Sequence, residues 1–349
     1  MPAPRLGKAP TGAARAAVFD TEAVFPYNCP EGTGLRPYGV ARDFGGTMSI
    51  LDAIGNTPLV ELERLGVSPG VRLLAKLEGS NPGGSVKDRI ALEMVRDGLD
   101  RGALRPGKTI LEATSGNTGI GLAMVGAALG YPVKLAMPEC VSLERRRTLE
   151  AFGAELVLTE GCLGTDGAIR MAERIYEGNP EIYFLPDQFK NPANARAHYL
   201  HTGREIWEQT GGAVDAFVAG LGTTGTIMGV GRRLKEHKPA ARIVAVEPTV
   251  GHKIQGLKNM TESIVPAIYE PAKLDARITV KDEDAFEMTR RLAREEGLFV
   301  GMSSGAAVVA ALEVARDLRS GTVVVLICDR GDRYLSTNLF TSICAQCPP

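Results

Sequence analysis

The sequence has almost no net charge, because 40 basic and 41 acidic side chains leave a formal charge of −1 over 349 residues. Such a balance provides no basic face for nucleic acid and no acidic tail for a cationic partner. The sequence also lacks an apolar run long enough to cross a bilayer. We therefore predict neither a nucleic-acid partner nor a membrane partner.

The cysteines do not have the spacing of a disulfide framework; the six lie at positions 29, 140, 162, 328, 344 and 347. Cys344 and Cys347 form a C-x-x-C pair, but a metal site needs two more ligands and a redox site needs a preceding βα unit. We therefore predict no metal site. Cys328 ends the apolar run 323–327 and is interpreted as a small buried hydrophobic residue. The first twenty residues lack the apolar stretch of a signal peptide, so the cytoplasm is the expected compartment.

Residues 1–47 are rich in proline, glycine and alanine and lack hydrophobic periodicity, which predicts a poorly ordered N-terminal extension. From Met48 onward, apolar β-branched runs alternate with longer amphipathic stretches. Because the alternation occurs in two blocks, we predict an α/β fold of two domains, each a mostly parallel sheet flanked by helices. The N-terminal domain is predicted at 48–190, the C-terminal domain at 191–340, and a tail at 341–349.

The periodicity assigns a residue range to each main element. Strands are predicted at 71–76, 109–112, 133–137, 155–158, 216–219, 243–246 and 323–327. Helices are predicted at 87–98, 118–129, 145–152, 226–237, 282–296 and 306–318. Ligands of such folds bind in the crevice beyond the carboxyl ends of the strands. Three polar, glycine-rich turns fall at or near such ends.

The first turn contains Lys87, which begins a predicted helix after the glycine-rich segment 81–84. The positive end of the helix dipole disfavours an ammonium group at this position. A partly desolvated amine there has a lowered pKa and can act as the nucleophile that forms a Schiff base. Taken alone, such a lysine is more simply interpreted as a solvated side chain.

The second turn, at 114–119, has the sequence Thr-Ser-Gly-Asn-Thr-Gly and lies between a strand and a helix. Its hydroxyls, its amide and its free backbone N–H groups suit an anionic carboxylate. An ordinary N-cap turn formed by serine and threonine is an equally good interpretation of this segment.

The third turn, at 220–226, also matches the G-x-G-x-x-G pattern of dinucleotide-binding proteins. Glu247 closes the next strand, near the position of a ribose-binding acid, so a nicotinamide-dependent oxidoreductase is a genuine alternative. Three threonine hydroxyls among the glycines, however, suit a terminal phosphate better than a pyrophosphate.

Together these motifs resemble the cysteine synthase group of the fold-type II pyridoxal-phosphate enzymes. The resemblance extends from residues 54–59 to residues 334–337, which is nearly the whole chain after Met48. Its motifs occur in the family's order: the lysine turn, the 114–119 turn, Gln188-Phe189, the threonine-rich turn and Gly301-Met302-Ser303-Ser304-Gly305. The threonine-rich turn and residues 328–333 are most similar to the B-type, or O-acetylserine sulfhydrylase B, enzymes.

The resemblance implies a role for each matching residue. Lys87 would form the Schiff base with pyridoxal 5'-phosphate and would take the substrate's α-proton. Asn117 would bond the cofactor ring hydroxyl and Ser303 would face the pyridine nitrogen, with Ser304 as the alternative. The residues implied for the cofactor phosphate are Gly222, Thr223, Thr224, Gly225 and Thr226. Those implied for the substrate are Thr114, Ser115, Gly116, Thr118, Gln188 and Gly256.

The implied reaction is cysteine biosynthesis by β-replacement, in which O-acetyl-L-serine gives a bound aminoacrylate that sulfide or thiosulfate attacks. O-phosphoserine is the alternative substrate. A catalytically idle binding module, such as a partner of an acyltransferase, is the alternative from outside the enzymes. The resemblance also implies a homodimer.

Lys258 lies just after the closing segment, residues 253–256, which the resemblance assigns to closure over the substrate. Related enzymes place an arginine there, and a cation could meet a phosphate leaving group or an anionic sulfur donor. Lysine is a point charge rather than a bidentate fork, so an ordinary loop lysine is an equally good interpretation.

Overall fold

The computed structural model describes residues 48–114 and 116–340. Its strands are β1 (Leu59–Glu61), β2 (Val71–Leu77), β3 (Thr109–Ala113), β4 (Val133–Pro138), β5 (Glu155–Thr159), β6 (Tyr183–Phe184), β7 (Ala216–Gly220), β8 (Arg242–Pro248), β9 (Ala276–Val280) and β10 (Gly321–Ile327). Its α-helices are α1 (Lys87–Asp100), α2 (Asn117–Leu129), α3 (Leu143–Ala151), α4 (Gly164–Gly178), α5 (Pro192–Ala197), α6 (Gly203–Gln209), α7 (Gly225–His237), α8 (Asp282–Glu296) and α9 (Met302–Arg316).

The strands form two sheets. The larger sheet has the order β1-β2-β10-β7-β8-β9, and the smaller has the order β5-β4-β3-β6. Every strand pair is parallel except β1 with β2. The prediction of an α/β fold with mostly parallel sheets is therefore confirmed. No helix in the described parts of the chain has the length and apolar character needed to span a membrane.

The predicted domain boundary at residue 190 does not coincide with the division between the sheets. Strands β1 and β2 precede this boundary but pair within the larger sheet, where β2 lies beside β10. The smaller sheet is built from the chain between β2 and β7. The boundaries therefore stay a prediction, and the predicted extension 1–47 and tail 341–349 lie outside the described residues.

Strand β10 shows why the larger sheet is buried on both faces. Val323, Val325 and Ile327 pack in one apolar cluster with helices α8 and α9. Val324 and Leu326 belong to another cluster, which includes residues of α7. Successive side chains of a strand point to opposite faces, so an unbroken apolar run is what two helix-covered faces require.

Several elements differ from those that periodicity predicted. Helix α9 begins at Met302, four residues before the predicted start. Its first turn contains Ser303 and Ser304, which are buried although they are polar. Their polarity conceals the start of the helix from a periodicity argument. Helices α4, α5 and α6 and strands β1, β6 and β9 were not predicted.

A buried ionic network fixes the helix that carries Lys87. Arg89 donates to Glu78 over 2.6 Å and to Glu205 over 2.6 Å, and Lys76 donates to Glu205 over 2.7 Å. All four of these side chains are buried. Burial alone would raise the pKa of Glu205, but hydrogen bonding and charge from Arg89 and Lys76 lower it to about 2. The network joins β2, the turn after it, α1 and α6.

Replacing Arg89 by methionine should destabilise the protein strongly, because it leaves the Glu78 and Glu205 carboxylates buried without a principal partner. Removing one member of a buried ion pair costs about 3–5 kcal/mol. Arg72→Met is the matched control, since Arg72 pairs with Glu61 on the surface and such pairs contribute about 0–1 kcal/mol. Denaturant unfolding measures both variants, and equal losses would contradict the structural role of the network.

Candidate active site

A cleft of about 540 Å³ opens between the two sheets. Its walls include the turns that follow β3, β7 and β10, at Thr114, Thr223 and Cys328. The start of α1, residues 162–166 and residues 252–258 also line it. The cleft therefore lies at the carboxyl ends of parallel strands, where such folds bind ligands.

Lys87 is the first residue of α1 and lines this cleft. Its own N–H donates to Ser85 Oγ over 3.2 Å, and the neighbouring Val86 N–H donates to the Cys328 carbonyl over 2.9 Å. These bonds hold the start of α1 against the end of β10. Burial lowers the pKa of the Lys87 amine, and the nearby Cys328 and Asp329 only partly oppose this. Lys87 thus offers an amine that loses its proton more readily than a solvated lysine does.

The threonine-rich turn leads directly into α7. Thr224 has a left-handed backbone with φ of 68°, and it is the residue immediately before the helix. Its hydroxyl oxygen is buried and has no hydrogen-bond partner among the described residues. The Thr226 hydroxyl lies 3.2 Å from Nε2 of the buried His198. A buried hydroxyl without a partner, at a helix N-terminus, is suited to an anion such as a phosphate.

The glycines of this turn fit a tight backbone. A Cβ at Gly222 would come within 2.8 Å of the Gly256 carbonyl oxygen, and a Cβ at Gly225 would collide with the side chain of Asn194. Any larger residue would therefore displace the segment on the opposite wall of the cleft or a buried amide. The turn places the predicted phosphate-binding residues against Gly256, which the resemblance assigns to substrate binding.

The 114–119 turn is held by its own side chains. The Thr114 hydroxyl accepts from the N–H groups of Gly116 and Gly119, at 3.0 and 3.3 Å. Thr118 donates to Gln188 Oε1 over 2.6 Å, and Gln188 in turn donates to the Ala113 carbonyl over 2.7 Å. Thr114, Thr118 and Gln188 all line the cleft, whereas Ser115 lies outside the described residues.

Glu112 lies beneath this turn and was not predicted. Its carboxyl oxygens accept from the backbone N–H of Ala113 over 2.9 Å and of Gln188 over 3.2 Å. Burial, with the nearby Asp187, raises the pKa of Glu112 to about 8. The spacing of apolar residues does not reveal a buried acid near the end of an apolar strand. A charged residue within such an apolar run is nevertheless unusual.

Asn117 has protein partners on both sides of its amide. Its Nδ2 donates to Asp329 Oδ2 over 2.6 Å, and its Oδ1 accepts from Arg333. Asp329 also accepts from the Tyr334 hydroxyl over 2.7 Å, and Tyr334 accepts from Arg145 over 2.8 Å. Asn117 therefore lies in the cleft as predicted for a binding residue, within a polar network that joins α2, α3 and the segment after β10.

Arg145 was not singled out from the sequence. It is buried, lines the cleft and donates to Gln255 in the closing segment. In the sequence it is the first of three consecutive arginines, a pattern typical of a solvated helix face. Only the fold shows which of the three faces inward.

The side chains of Ser303 and Ser304 have different surroundings. Ser303 lines the cleft, as Cys328 does. Ser304 Oγ accepts from the Cys328 backbone N–H over 2.9 Å. Burial raises the pKa of the Cys328 thiol to about 11, so this cysteine is a neutral group at neutral pH. Of the two serines that the sequence left open, Ser303 has its side chain on the cleft.

Lys258 is not a free cation of the cleft. Its ammonium group lies 2.9 Å from Asp166 Oδ1 and 5.0 Å from the centre of the Phe189 ring. Asp166 Oδ2 accepts from the Ile264 N–H over 3.0 Å. Asp166, in the first turn of α4, thus holds two points of the segment that follows Gly256.

Glu247 does not have the position that the dinucleotide alternative requires. Its carboxylate lies 3.6 Å from Arg277 and accepts from the Met260 N–H over 3.4 Å. Glu247 is buried and is not part of the cleft wall formed by Gly222 and Thr223. The nicotinamide-dependent alternative is therefore not favoured.

Comparison with known proteins agrees with this geometry. The model of the family described as pyridoxal-phosphate dependent enzyme matches residues 50–329. The cysteine synthase of Aquifex aeolicus is 49% identical over 314 residues, which cover 88% of this chain and 94% of that protein. Cysteine synthase B of Pseudomonas aeruginosa is 48% identical over 293 residues, covering 84% and 97% of the two chains.

A solved structure supports the same relationship. The crystal structure of the cysteine synthase from Entamoeba histolytica superposes with a TM-score of 0.80 at 41% identity, covering 87% of this chain and 94% of that one. The chain therefore belongs to the pyridoxal-phosphate dependent enzymes, among the cysteine synthases.

Proposed function

We propose that this enzyme serves cysteine biosynthesis by β-replacement, in which sulfide or thiosulfate replaces the acetoxy group of O-acetyl-L-serine and acetate leaves. The observation that carries the proposal is the partly buried Lys87 amine in a cleft that two helix N-termini, those of α2 and α7, also border. One amine and two anion-binding ends match a substrate with a carboxylate and a cofactor with a phosphate. The relatives named above are cysteine synthases, which supports the same reaction.

The residues of the cleft fit pyridoxal phosphate. Lys87 would hold it covalently through Nζ, and the hydroxyl of Thr224, which lacks a partner in the described structure, would donate to its phosphate beside the N–H groups that begin α7. The bound cofactor supplies an electron sink at the substrate's α-carbon, which permits loss of the β-substituent. Ser303 is a neutral hydroxyl, so it would leave the ring nitrogen unprotonated and the electron sink moderate.

Lys87 is suited to move the substrate's α-proton. Burial lowers the pKa of its amine, so a larger fraction of the group is the neutral base than in a solvated lysine. Thr114, Thr118 and Gln188 would orient the substrate carboxylate at the N-terminus of α2. The Cys328 thiol stays protonated, so the protein offers no thiolate at this position and the sulfur nucleophile must come from solution.

The alternative of an idle binding module is not favoured. A module without catalysis has no physical need to keep a desolvated amine at Lys87, because burial of a lysine costs free energy and Lys87, unlike the structural Lys76, has no ion pair among the described residues that offsets it. The homodimer, the cytoplasmic location and any acyltransferase partner remain predictions from the resemblance and the sequence. Light scattering of the purified protein tests the homodimer.

Lys87→Ala should abolish turnover and covalent attachment of the cofactor. Lys190→Ala is the control, since Lys190 is a surface lysine paired with Glu173 and should keep wild-type activity. Visible absorbance and mass spectrometry after borohydride reduction measure the attachment. A cofactor still bound covalently in the Lys87 variant would move the attachment site elsewhere.

Thr224→Val should weaken cofactor binding by roughly tenfold to a hundredfold, since a hydrogen bond to a charged group contributes about 1.5–3 kcal/mol. The cofactor-free variant should unfold at the same temperature as the wild type or a higher one, because valine removes a buried hydroxyl that lacks a partner. Thr210→Val is the control, since its hydroxyl bonds the Ile206 carbonyl on α6. Fluorescence titration measures affinity, and unchanged affinity would exclude Thr224 as a phosphate ligand.

The ion pair of Lys258 with Asp166 favours O-acetylserine over O-phosphoserine, because the carboxylate neutralises the cation that a phosphate would need. We expect O-acetylserine to have the higher kcat/KM. Asp166→Asn should then raise the relative efficiency with O-phosphoserine by about tenfold, the effect of one charge-assisted contact. Adding Lys258→Met to that variant should cancel the gain. Side-by-side assays with sulfide and with thiosulfate measure the ratios, and a ratio unmoved by Asp166→Asn would show that Lys258 does not face the leaving group.

A further inference from the structure

Two cysteines lie together at the rim of the cleft and have no part in the reaction described above. Cys140 follows β4 and Cys162 follows β5, and these adjacent parallel strands end with Pro138 paired to Thr159. Both cysteines are exposed free thiols, and both line the cleft. The register of the two strands therefore brings the two loops to one place.

The distance between the loops is short. Cys140 Sγ lies 3.7 Å from the carbonyl oxygen of Gly161, the residue bonded to Cys162. A carbonyl oxygen lies about 2.8 Å from the next Cα by standard peptide dimensions, so the Cys140 sulfur is within about 6.5 Å of the Cys162 Cα. That bound joins a sulfur to a Cα, whereas a disulfide needs the two Cα atoms themselves roughly 4.4–6.8 Å apart. Because both cysteines are exposed, rotation of their side chains together with a movement of the two loops can bring the sulfurs into contact.

Hydrogen bonds already hold these loops in register. The Glu139 N–H donates to the Thr159 carbonyl over 2.9 Å, and the Gly161 N–H donates to Glu139 Oε1 over 3.1 Å. The two cysteines thus flank a fixed contact rather than two independent loops. By contrast, the third described cysteine, Cys328, is only partly exposed and has a raised pKa, which makes it a poor partner for exchange.

We propose that Cys140 and Cys162 form a dithiol modification site that low-molecular-weight disulfides oxidise to an intramolecular disulfide. The thiolate of one cysteine attacks the small disulfide, forms a mixed disulfide and releases one small thiolate. The thiol of the other cysteine loses its proton and attacks the protein-side sulfur, which releases the second small thiolate. The protein loses two electrons and two protons, and the small disulfide becomes two thiols.

The disulfide acts on the closing segment through Asp166. Cys162 lies four residues before Asp166, which holds Lys258 and the Ile264 N–H across the cleft. Tethering Cys162 to Cys140 restrains the loop 161–166, so Asp166 no longer follows the closing segment when substrate binds. This effect on turnover rests on the proposed function. A misplacement of about 1 Å at a positioning group can cost up to a hundredfold, and we expect a loss of roughly tenfold in kcat/KM for the amino-acid substrate.

The test uses the full-length holoenzyme with oxidised glutathione as the probe. Peptide mapping by mass spectrometry without reduction should find a cross-link between the Cys140 and Cys162 peptides. The same sample should show the lowered kcat/KM with O-acetylserine and sulfide, and dithiothreitol should restore it. Cys140→Ser and Cys162→Ser are matched controls that should lack the cross-link and stop at the mixed disulfide with glutathione. The double variant has neither thiol, so it should keep its kcat/KM after the same treatment.

Two results would overturn the proposal. One is that Cys140 and Cys162 stay unlinked while the wild type loses activity, for example through a bond between Cys344 and Cys347. The other is a Cys140–Cys162 cross-link with unchanged kinetics. Failure of the proposed function would look different, because the reduced enzyme would then lack cysteine synthesis before any oxidant is added, whereas the peptide map does not depend on activity.

Discussion

The ionic contact of Arg89 with Glu78 and Glu205 is the constraint on which the site depends. Arg89 lies two residues after Lys87 on α1, so whatever fixes the guanidinium also fixes the start of the helix. Isolated buried charges are too costly to keep, which means that α1 can pack here only with both acids in place. The amine of Lys87 therefore has a fixed position before any ligand enters the cleft.

A second constraint comes from the way the loops support one another. The Val86 N–H, just before Lys87, donates to the carbonyl that follows β10, and the Asn117 amide donates to Asp329. Gly222, which has no side chain, leaves room for Gly256. Each wall of the cleft is thus braced by a residue from another wall. Such mutual support suits a site that must hold a cofactor rigidly while one segment moves over the substrate.

The α/β architecture and the turns of the cleft could be predicted from the sequence, because strand and helix periodicity are local patterns. The turns then followed, since ligands of such folds bind beyond the carboxyl ends of the strands. Lys87 and Thr118 could be found in this way, whereas Gln188 was found only through the resemblance to the family. The orientation of Arg145 and the ion pair of Lys258 with Asp166 could not be predicted. Both depend on contacts between segments about a hundred residues apart in the sequence. A local sequence pattern does not predict such a contact.

The position of β10 between β2 and β7 has a consequence for the order in which the molecule forms. Val324 pairs with Leu74, so the larger sheet joins residues that are separated by most of the chain. During synthesis, β2 has only the short β1 as a neighbour until residues 321–327 leave the ribosome. Non-local pairing of this kind slows folding and leaves strand edges exposed for longer. The nascent chain should therefore depend on protection by chaperones until its final strand is inserted.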